Sequence, residues 1–200
     1  VTTRGGSISA FGTYLIGRSF YVDLIATYGW NDYDTRRTVG VGGASATAKG
    51  DTHGQQFAVS AGAGYDFNIR AWTLGLYGRV NYINVGIDDF RETGAGASDL
   101  NVSTQKVESL TTVLGAHVSY AISLPWAVLL PQVTAEWEHE YLNDSRLIKG
   151  TVVADPSQTR FGFPTNDPDR DYFNLGAGVS ATFKHGLSAF LLYETVLGRT

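Results

Sequence analysis

The sequence predicts an all-β protein, an antiparallel transmembrane β-barrel to which this chain contributes about eight strands. Three observations support this fold class. Apolar and polar residues alternate with a period of two along several segments, no apolar run is long enough for a membrane-spanning helix, and short connections alternate with long ones. Outer-membrane barrels place short turns on one rim and long loops on the other, so the last observation favours a barrel over a soluble sandwich.

Composition excludes several classes of protein. The chain has 200 residues, which suits one all-β domain, and it has no cysteine for disulfides or a thiolate metal site. Its net charge of −4 argues against a nucleic-acid-binding protein, which usually has a basic stripe. No signal peptide and no initiating methionine is present, so we expect a mature protein or a piece of one.

The clearest strand is residues 132–141, QVTAEWEHEY. Successive side chains of a strand point to opposite faces, which divides this segment into two rows. The polar row is Gln132, Thr134, Glu136, Glu138 and Glu140. The other row is Val133, Ala135, Trp137, His139 and Tyr141. The second row becomes aromatic towards one end, as expected where rings collect at the lipid–water boundary.

Four strands are predicted in the first 82 residues. Residues 7–17 (SISAFGTYLIG) alternate weakly, whereas residues 21–32 (YVDLIATYGWND) separate an apolar face that ends in tyrosine and tryptophan from a polar face. Residues 55–67 and 72–82 place valine, leucine or aromatic side chains opposite glycine, serine, asparagine or arginine. The alternation changes phase at residues 83–85, which predicts a β-bulge or the point where the strand leaves the bilayer.

Three further strands complete the set of about eight. Residues 107–121, 172–183 and 187–197 carry apolar residues at alternate positions, with glycine, serine and threonine frequent between them in the first two. The connections are then short at residues 18–19, 68–70, 123–125 and 184–186. They are long at residues 35–53, 88–104 and 143–170, the last with a possible strand extension at residues 147–153.

The alternation predicts which side chains meet lipid and which line the interior of the barrel. The residues expected to contact lipid are Leu114, Val133, Ala135, Trp137, Leu175 and Val179. The residues expected to line the lumen are Arg79, Asn81, Glu136, Glu138, Glu140 and Ser180. Arg79 is the cation among the lumen-facing residues of its strand, so we expect it to pair with Glu136 or Glu138.

No catalytic, cofactor-binding or metal-binding residues are expected in this chain, and the sequence predicts that it is not an enzyme. His139 lies on the face opposite Glu138, which argues against a metal site between them. His117 is expected to face inward near Ser109 and Thr111, but no G-x-S-x-G nucleophile motif accompanies it. The glycine–alanine tract at residues 94–97 lacks the lysine and helix of a phosphate-binding loop.

Five segments, spread over nearly the whole chain, resemble a known family. They are YGWNDYDTRR at residues 28–37, GYDF at 64–67, LGLYGRVNYINVGIDDFRETGAG at 74–96, WEHEYLNDSR at 137–146 and DYFNLGAGVSATF at 171–183. In order and spacing they resemble the C-terminal β-domain, or translocator, of monomeric autotransporters, the type V secretion proteins of Gram-negative bacteria.

The resemblance implies a twelve-stranded outer-membrane barrel that anchors and helps export an N-terminal passenger. It implies a linker helix in the lumen, and outer-membrane lipid and the barrel-assembly machinery as partners. Where members of the family have esterase or protease activity, that activity is in the passenger. We therefore expect residues 1–200 to be a partial β-barrel domain, without the passenger, linker helix, first strands and final strand.

Two alternative functions stay open from the sequence. One is a small self-contained barrel of about eight strands, acting as an adhesin or structural protein. Such a barrel has a side-chain-packed interior, whereas the predicted inward faces are rich in small residues. The other is an outer-membrane enzyme with its site at the rim. For a partial barrel, an even number of strands places both chain ends on the long-loop rim, and the edge strands require completion by further chain.

Overall fold

The computed structural model describes residues 1–41, 44–142, 147–165 and 169–198. Within these residues the strands are β1 (Thr2–Ile16), β2 (Phe20–Val41), β3 (Ala44–Ile69), β4 (Trp72–Ile87), β5 (Phe90–Arg91), β6 (Leu100–Val102), β7 (Gln105–Tyr120), β8 (Ile122–Ser123), β9 (Ala127–Glu140), β10 (Leu147–Val152), β11 (Arg160–Pro164), β12 (Asp171–Phe183) and β13 (Ser188–Leu197). Gly96–Ser98 and Lys184–Gly186 form 3₁₀ turns. No helix in the described part of the chain is long and apolar enough to cross a membrane.

Eight long strands form one antiparallel sheet, in the order β1-β2-β3-β4-β7-β9-β12-β13, and the short strand β8 pairs with β9. This confirms the predicted fold class and the eight principal strands. The sheet curls into a half-barrel, with β1 and β13 at its two edges. A self-contained eight-stranded barrel would require β1 to pair with β13. No hydrogen-bonded pairing joins these two strands in the part of the chain described.

The apolar face of the sheet is exposed and has aromatic rings at two levels. Near the short turns, Trp72 contacts Tyr120 with ring centres 4.6 Å apart, and Trp126 stacks on Phe183. Near the long connections, Tyr28 and Trp30 lie together on β2. About ten residues of β2, from Phe20 to Trp30, separate the two levels, which is the length that a tilted strand needs to cross a bilayer.

The predicted lipid-contacting residues share this apolar face. Strand register places Leu114 beside Trp137 and Leu175 beside Ala135, and Val133 and Val179 lie on the same face. Val133 is 60% exposed. An exposed apolar surface of this size is what a bilayer would cover, and contact with lipid remains a prediction.

One prediction about the strand ends is wrong, and one of the two alternatives for another, a β-bulge, is excluded. Residues 35–41 and 44–53 are paired strand and not loop, because β2 and β3 stay paired from Asp32 opposite His53 to Val41 opposite Ala44, and residues 42–43 lie outside the described residues. No bulge interrupts residues 83–85, because β4 pairs regularly with both neighbours as far as Ile87. Outside a bilayer both faces of a strand are wet, so alternation is lost there while the backbone hydrogen bonds continue.

The other long connections contain a second sheet, with strand order β11-β10-β6-β5, which we call the outer sheet. Strand β10 confirms the predicted extension at residues 147–153, whereas β5, β6 and β11 were not predicted. The Phe90 ring of β5 packs directly on Gly50 of β3, where it occupies the position of a Cβ atom. Lys49 and Thr93 exchange two backbone hydrogen bonds of 2.8 Å. Residues 143–146 and 166–168 of the predicted third loop lie outside the described residues.

Candidate functional site

The predicted lumen-facing residues share one face of the sheet, opposite the exposed apolar residues. Arg79 and Asn81 of β4 lie beside Val113 and Thr111 of β7, and these lie beside Glu138 and Glu140 of β9. Alternation places Glu136 on the same face, beside Gly115. This face borders a cavity of about 450 Å³ whose polar lining comes from six strands of the sheet, with Thr13, Tyr21, Asp23, Ser60, Arg79, His117, Gln132, Thr134 and Glu136 among its residues.

Arg79 pairs with Glu136, as the sequence predicted. The guanidinium Nη2 of Arg79 lies 3.4 Å from Oε1 of Glu136, so the pair connects β4 to β9 across β7. The hydroxyl of Tyr77 donates a 2.7 Å hydrogen bond to the same carboxylate oxygen. The Glu136 side chain is 19% exposed, and a carboxylate at this depth is stabilised by a nearby cation and a hydroxyl donor.

Glu138 contacts a different set of partners, so the alternative pairing with Arg79 is not formed. Tyr172 donates a 2.7 Å hydrogen bond to Glu138, and the amide of Asn174 donates to its other oxygen. Both partners lie on β12, next to β9. Glu138 therefore joins two neighbouring strands, whereas Glu136 connects strands that are not adjacent.

Glu140 and Asn81 stabilise the strand ends near the long connections. Glu140 is buried and accepts hydrogen bonds of 2.9 Å from the backbone amides of Leu110 and Leu142, and another from the hydroxyl of Ser109. Asn81 accepts from Ser60 and donates to Thr111. These contacts satisfy polar groups within the sheet, so Asn81 and Glu140 serve the architecture of this face.

Two tyrosine rings on this face lie over glycines of the next strand. A Cβ atom at Gly115 would lie 2.3 Å from the Tyr77 ring, and one at Gly64 would lie 2.4 Å from the Tyr21 ring. Each tyrosine is the register partner of its glycine. Alternation places Tyr77 on the same face of β4 as Arg79 and Asn81. Its role was not predictable, because the facing glycine is known only once the register is known.

His117 faces the same cavity, as expected, and its acidic neighbour is Asp66. Its Nε2 atom lies 3.5 Å from Oδ1 of Asp66, and Ser109 is hydrogen-bonded to Glu140. On the other face, His139 contacts Asp171 at 2.8 Å. No group of three or more histidine or acidic side chains that could hold a metal ion occurs among the residues described.

Comparisons with known proteins identify the family. The family model described as "Autotransporter beta-domain" matches residues 1–194. The chain is 35% identical over 186 residues to "Esterase EstA" of Pseudomonas aeruginosa, a match that covers 90% of this chain and 28% of that protein. A second "Esterase EstA", from Pseudomonas putida, matches with the same identity and coverage. The chain thus spans 28% of the length of these relatives.

The fold matches a solved translocator. The "Translocator domain of autotransporter NalP from Neisseria meningitidis" aligns with a TM-score of 0.68 and 20% identity, covering 97% of this chain and 62% of that chain. At this identity the likeness concerns the fold alone. The aligned structure is a translocator domain, in agreement with the family model.

The expectation that the chain is not an enzyme is contradicted by the relatives' name, because both EstA proteins are named esterases. That expectation rested on the absence of a nucleophile motif from this chain. The chain corresponds to 28% of the length of those proteins, so the motif was sought in that part alone. The localisation and the translocator function agree with the comparisons. The chain belongs to the autotransporter β-domain family, and it is an outer-membrane translocator barrel that helps export a passenger and anchors it to the cell surface.

Proposed function

We propose that the polar face lines the lumen that the passenger crosses, and that Arg79, Glu136 and Tyr77 contact the linker helix held there. The observation that carries this proposal is that Arg79 and Tyr77 both contact the carboxylate of Glu136, on the face that borders the cavity. Arg79 is 40% exposed, so part of its guanidinium remains available to a segment inside the barrel. Arginine has five N–H donors, and the contact with Glu136 leaves most of them available.

The same face also suits the passage of an unfolded chain. Its polar groups bond largely to one another, as in the contacts of Ser60 with Asn81 and of Tyr172 with Glu138. At Gly64 and Gly115 the absence of a side chain leaves room for the rings of Tyr21 and Tyr77, which lie over the neighbouring strand. A wall that satisfies its own hydrogen bonds holds a passing peptide weakly, which favours transit over binding.

Residues 1–200 are, in this proposal, part of a larger barrel domain. The edge strands β1 and β13 leave backbone donors and acceptors unpaired on their outer sides, which hydrocarbon cannot satisfy. Further strands of the same protein would pair with both edges. The apolar face would contact outer-membrane lipid, and the barrel-assembly machinery would insert the completed domain.

The passenger of the whole protein is proposed to be an ester hydrolase. This rests on the name of the two relatives that share 35% identity with this chain. The catalytic residues would lie in the passenger, outside these 200 residues. In this arrangement the barrel would hold the enzyme at the cell surface, facing substrates in the medium.

Surface exposure of the passenger in whole cells tests the role of the lumen cluster. The full-length protein is compared with Arg79→Gln and Glu136→Gln, and the surface-exposed passenger is measured by added protease. Each single variant is expected to lower the exposed fraction several-fold at equal barrel content, because it leaves a charge unpaired in the lumen. The double variant, which restores neutrality, is expected to recover part of the loss.

Arg36→Gln is the matched control, because Arg36 is exposed on the extension of β2. It is expected to leave passenger exposure unchanged. Normal exposure in Arg79→Gln and Glu136→Gln would show that the cluster has no part in export. Esterase activity is assayed separately on solubilised protein, so that loss of export is distinguished from loss of catalysis.

A further inference from the structure

The outer sheet has two chemically different faces. Strand register and alternation place eight residues on one face, all of them apolar or glycine: Phe90, Leu100, Val102, Ile148, Gly150, Val152, Phe161 and Phe163. This face includes Phe90, which packs on Gly50 of β3. The packing of Phe90 fixes the orientation of the outer sheet and leaves the opposite face turned away from β3.

A row of polar side chains crosses that opposite face. Arg160 of β11 is the register partner of Thr151, Thr151 of Asn101, and Asn101 of Arg91. The side-chain amide of Asn101 donates a 3.4 Å hydrogen bond to Thr151, which confirms that the two side chains share a face. Lys149 and Ser103 belong to the same face and border the same surface depressions.

The charge of this row is predominantly positive. Arg91, Lys149 and Arg160 are exposed, and none of them forms an ion pair with another residue that the structure describes. Asp89 borders the row at its Arg91 end. The acidic side chains nearby are otherwise engaged, since Glu92 pairs with Arg37 and Asp155 binds the backbone of its own turn.

The spacing of the cations limits the kind of anion that fits. Arg91 and Arg160 lie on strands separated by three inter-strand distances of about 4.8 Å each, or about 14 Å in all. At this separation an elongated ligand with two or more anionic groups can engage both arginines without drawing their side chains together, and the hydroxyl and amide groups between the cations suit the hydroxyls of a sugar.

We propose that this row binds the phosphorylated saccharide of lipopolysaccharide in the outer leaflet. Arginine guanidinium groups bind phosphate oxygens in a bidentate manner, and lysine adds a third point of charge. The strands of the outer sheet lie within the β4–β7 and β9–β12 connections, on the long-loop rim that faces outward in outer-membrane barrels. The lipid would thus contact the protein above the bilayer as well as within it.

The test uses the full-length protein in detergent micelles and purified lipopolysaccharide with a phosphorylated inner core. The variant Arg91→Gln/Lys149→Gln/Arg160→Gln is expected to weaken binding by about tenfold or more, because charge-assisted hydrogen bonds to phosphate are lost. The control Arg4→Gln/Arg36→Gln/Lys49→Gln removes the same charge from exposed positions of β1 to β3 and is expected to bind as the wild type does. Heat-modifiable migration in gels verifies that each variant is folded.

Three results would overturn the proposal. They are equal affinities of the wild type and the first triple variant, an equal loss of affinity in the control, and undiminished binding of enzymatically dephosphorylated lipopolysaccharide. Competition with inorganic phosphate distinguishes the source of the anion. If phosphate alone at low concentration displaces the lipid, the surface is a single-anion site and the assignment to a saccharide is wrong.

Discussion

The guanidinium of Arg37, on the extension of β2, donates to both carboxylate oxygens of Glu92 beside the outer sheet. Its Nε atom lies 3.1 Å from Oε1, Nη2 contacts Oε2, and Nη2 also donates to the carbonyl of Ser98 at 2.9 Å. Glu92 is 5% exposed and also accepts from the amide of Leu100. The hydrogen bond to Glu92 raises the pKa of Arg37, so the guanidinium stays charged at any physiological pH. It therefore couples β2 to the outer sheet.

Arg37→Gln is expected to destabilise the outer sheet while the main sheet stays intact. The substitution leaves the buried Glu92 carboxylate without its cation, at a cost of about 1.5–3 kcal/mol in the local free energy of unfolding. Hydrogen exchange of the β5 and β6 amides measures this cost. Arg36→Gln, at the neighbouring exposed position, is the control. If exchange of these amides is unchanged in Arg37→Gln, the pair does not hold the outer sheet in place.

Gly115→Ala is expected to displace Tyr77 from Glu136. The new methyl group would occupy space held by the Tyr77 ring, and overpacking of this kind costs about 1–3 kcal/mol. The loss of stability is measured as a lower midpoint of unfolding in urea. The displacement of Tyr77 is measured as a change in tyrosine fluorescence. Gly86→Ala serves as the control, because a Cβ atom there has no neighbour within 4 Å. Equal midpoints for the two variants would contradict the packing described.

Cysteine scanning tests which face meets water. In vesicles, Glu136→Cys is expected to react with a membrane-impermeant thiol reagent, whereas Val133→Cys is expected to be protected by lipid. The physical reason is alternation, which places the two side chains on opposite faces of β9. The chain has no native cysteine, so no background reaction arises from it. Labelling of Val133→Cys with protection of Glu136→Cys would reverse the assignment of the faces.

Acid is expected to loosen the turn between β10 and β11. Asp155 accepts hydrogen bonds of 2.8 Å from the amides of Ser157 and Thr159. The side-chain hydrogen bond of Thr159, followed by these two backbone bonds, lowers the pKa of Asp155 below the usual 3.8. Because the folded-state pKa is depressed, the stabilisation is complete above about pH 4 and is lost as the pH falls through the lowered value.

The amide proton shifts of Ser157 and Thr159 report this titration by NMR of the protein in micelles. They are expected to stay constant at neutral pH and to change together below pH 4. Asp155→Asn keeps an acceptor oxygen but cannot titrate, so its amide shifts are expected to be independent of pH in this range. A midpoint above the ordinary aspartate pKa would contradict the hydrogen-bonding described.

The parts of the fold that the sequence predicted are those where a bilayer imposes a pattern. Between Trp72 and Tyr82 polar and apolar side chains alternate, and the start of the strand at Trp72 was predicted, although β4 continues to Ile87 beyond the predicted end at Tyr82. Beyond Asp32 on β2 polar and apolar residues no longer alternate, although the strand continues to Val41. The sequence therefore predicts a loop where the structure has a paired extension, because backbone hydrogen bonds do not depend on the pattern of side chains.

The polar face was predictable to the same limited extent. Inward facing and opposite charge were enough to pair Arg79 with Glu136. The contribution of Tyr77 depends on the register that sets it beside Gly115, which alternation cannot supply. The pair of Arg37 and Glu92 joins residues far apart in the chain, in segments without periodicity, and no sequence signal indicated it.

Every principal strand of the sheet pairs with the principal strand that follows it in the chain, from β1 through β13. Such an order allows the sheet to grow strand by strand, because each new strand can pair with the preceding strand at the edge of the sheet. The entropic cost of loop closure is then divided among connections between sequence neighbours, most of them short, so that each pairing step costs little. A chain threaded into the membrane in sequence order could acquire its native register one strand at a time, without searching among distant partners.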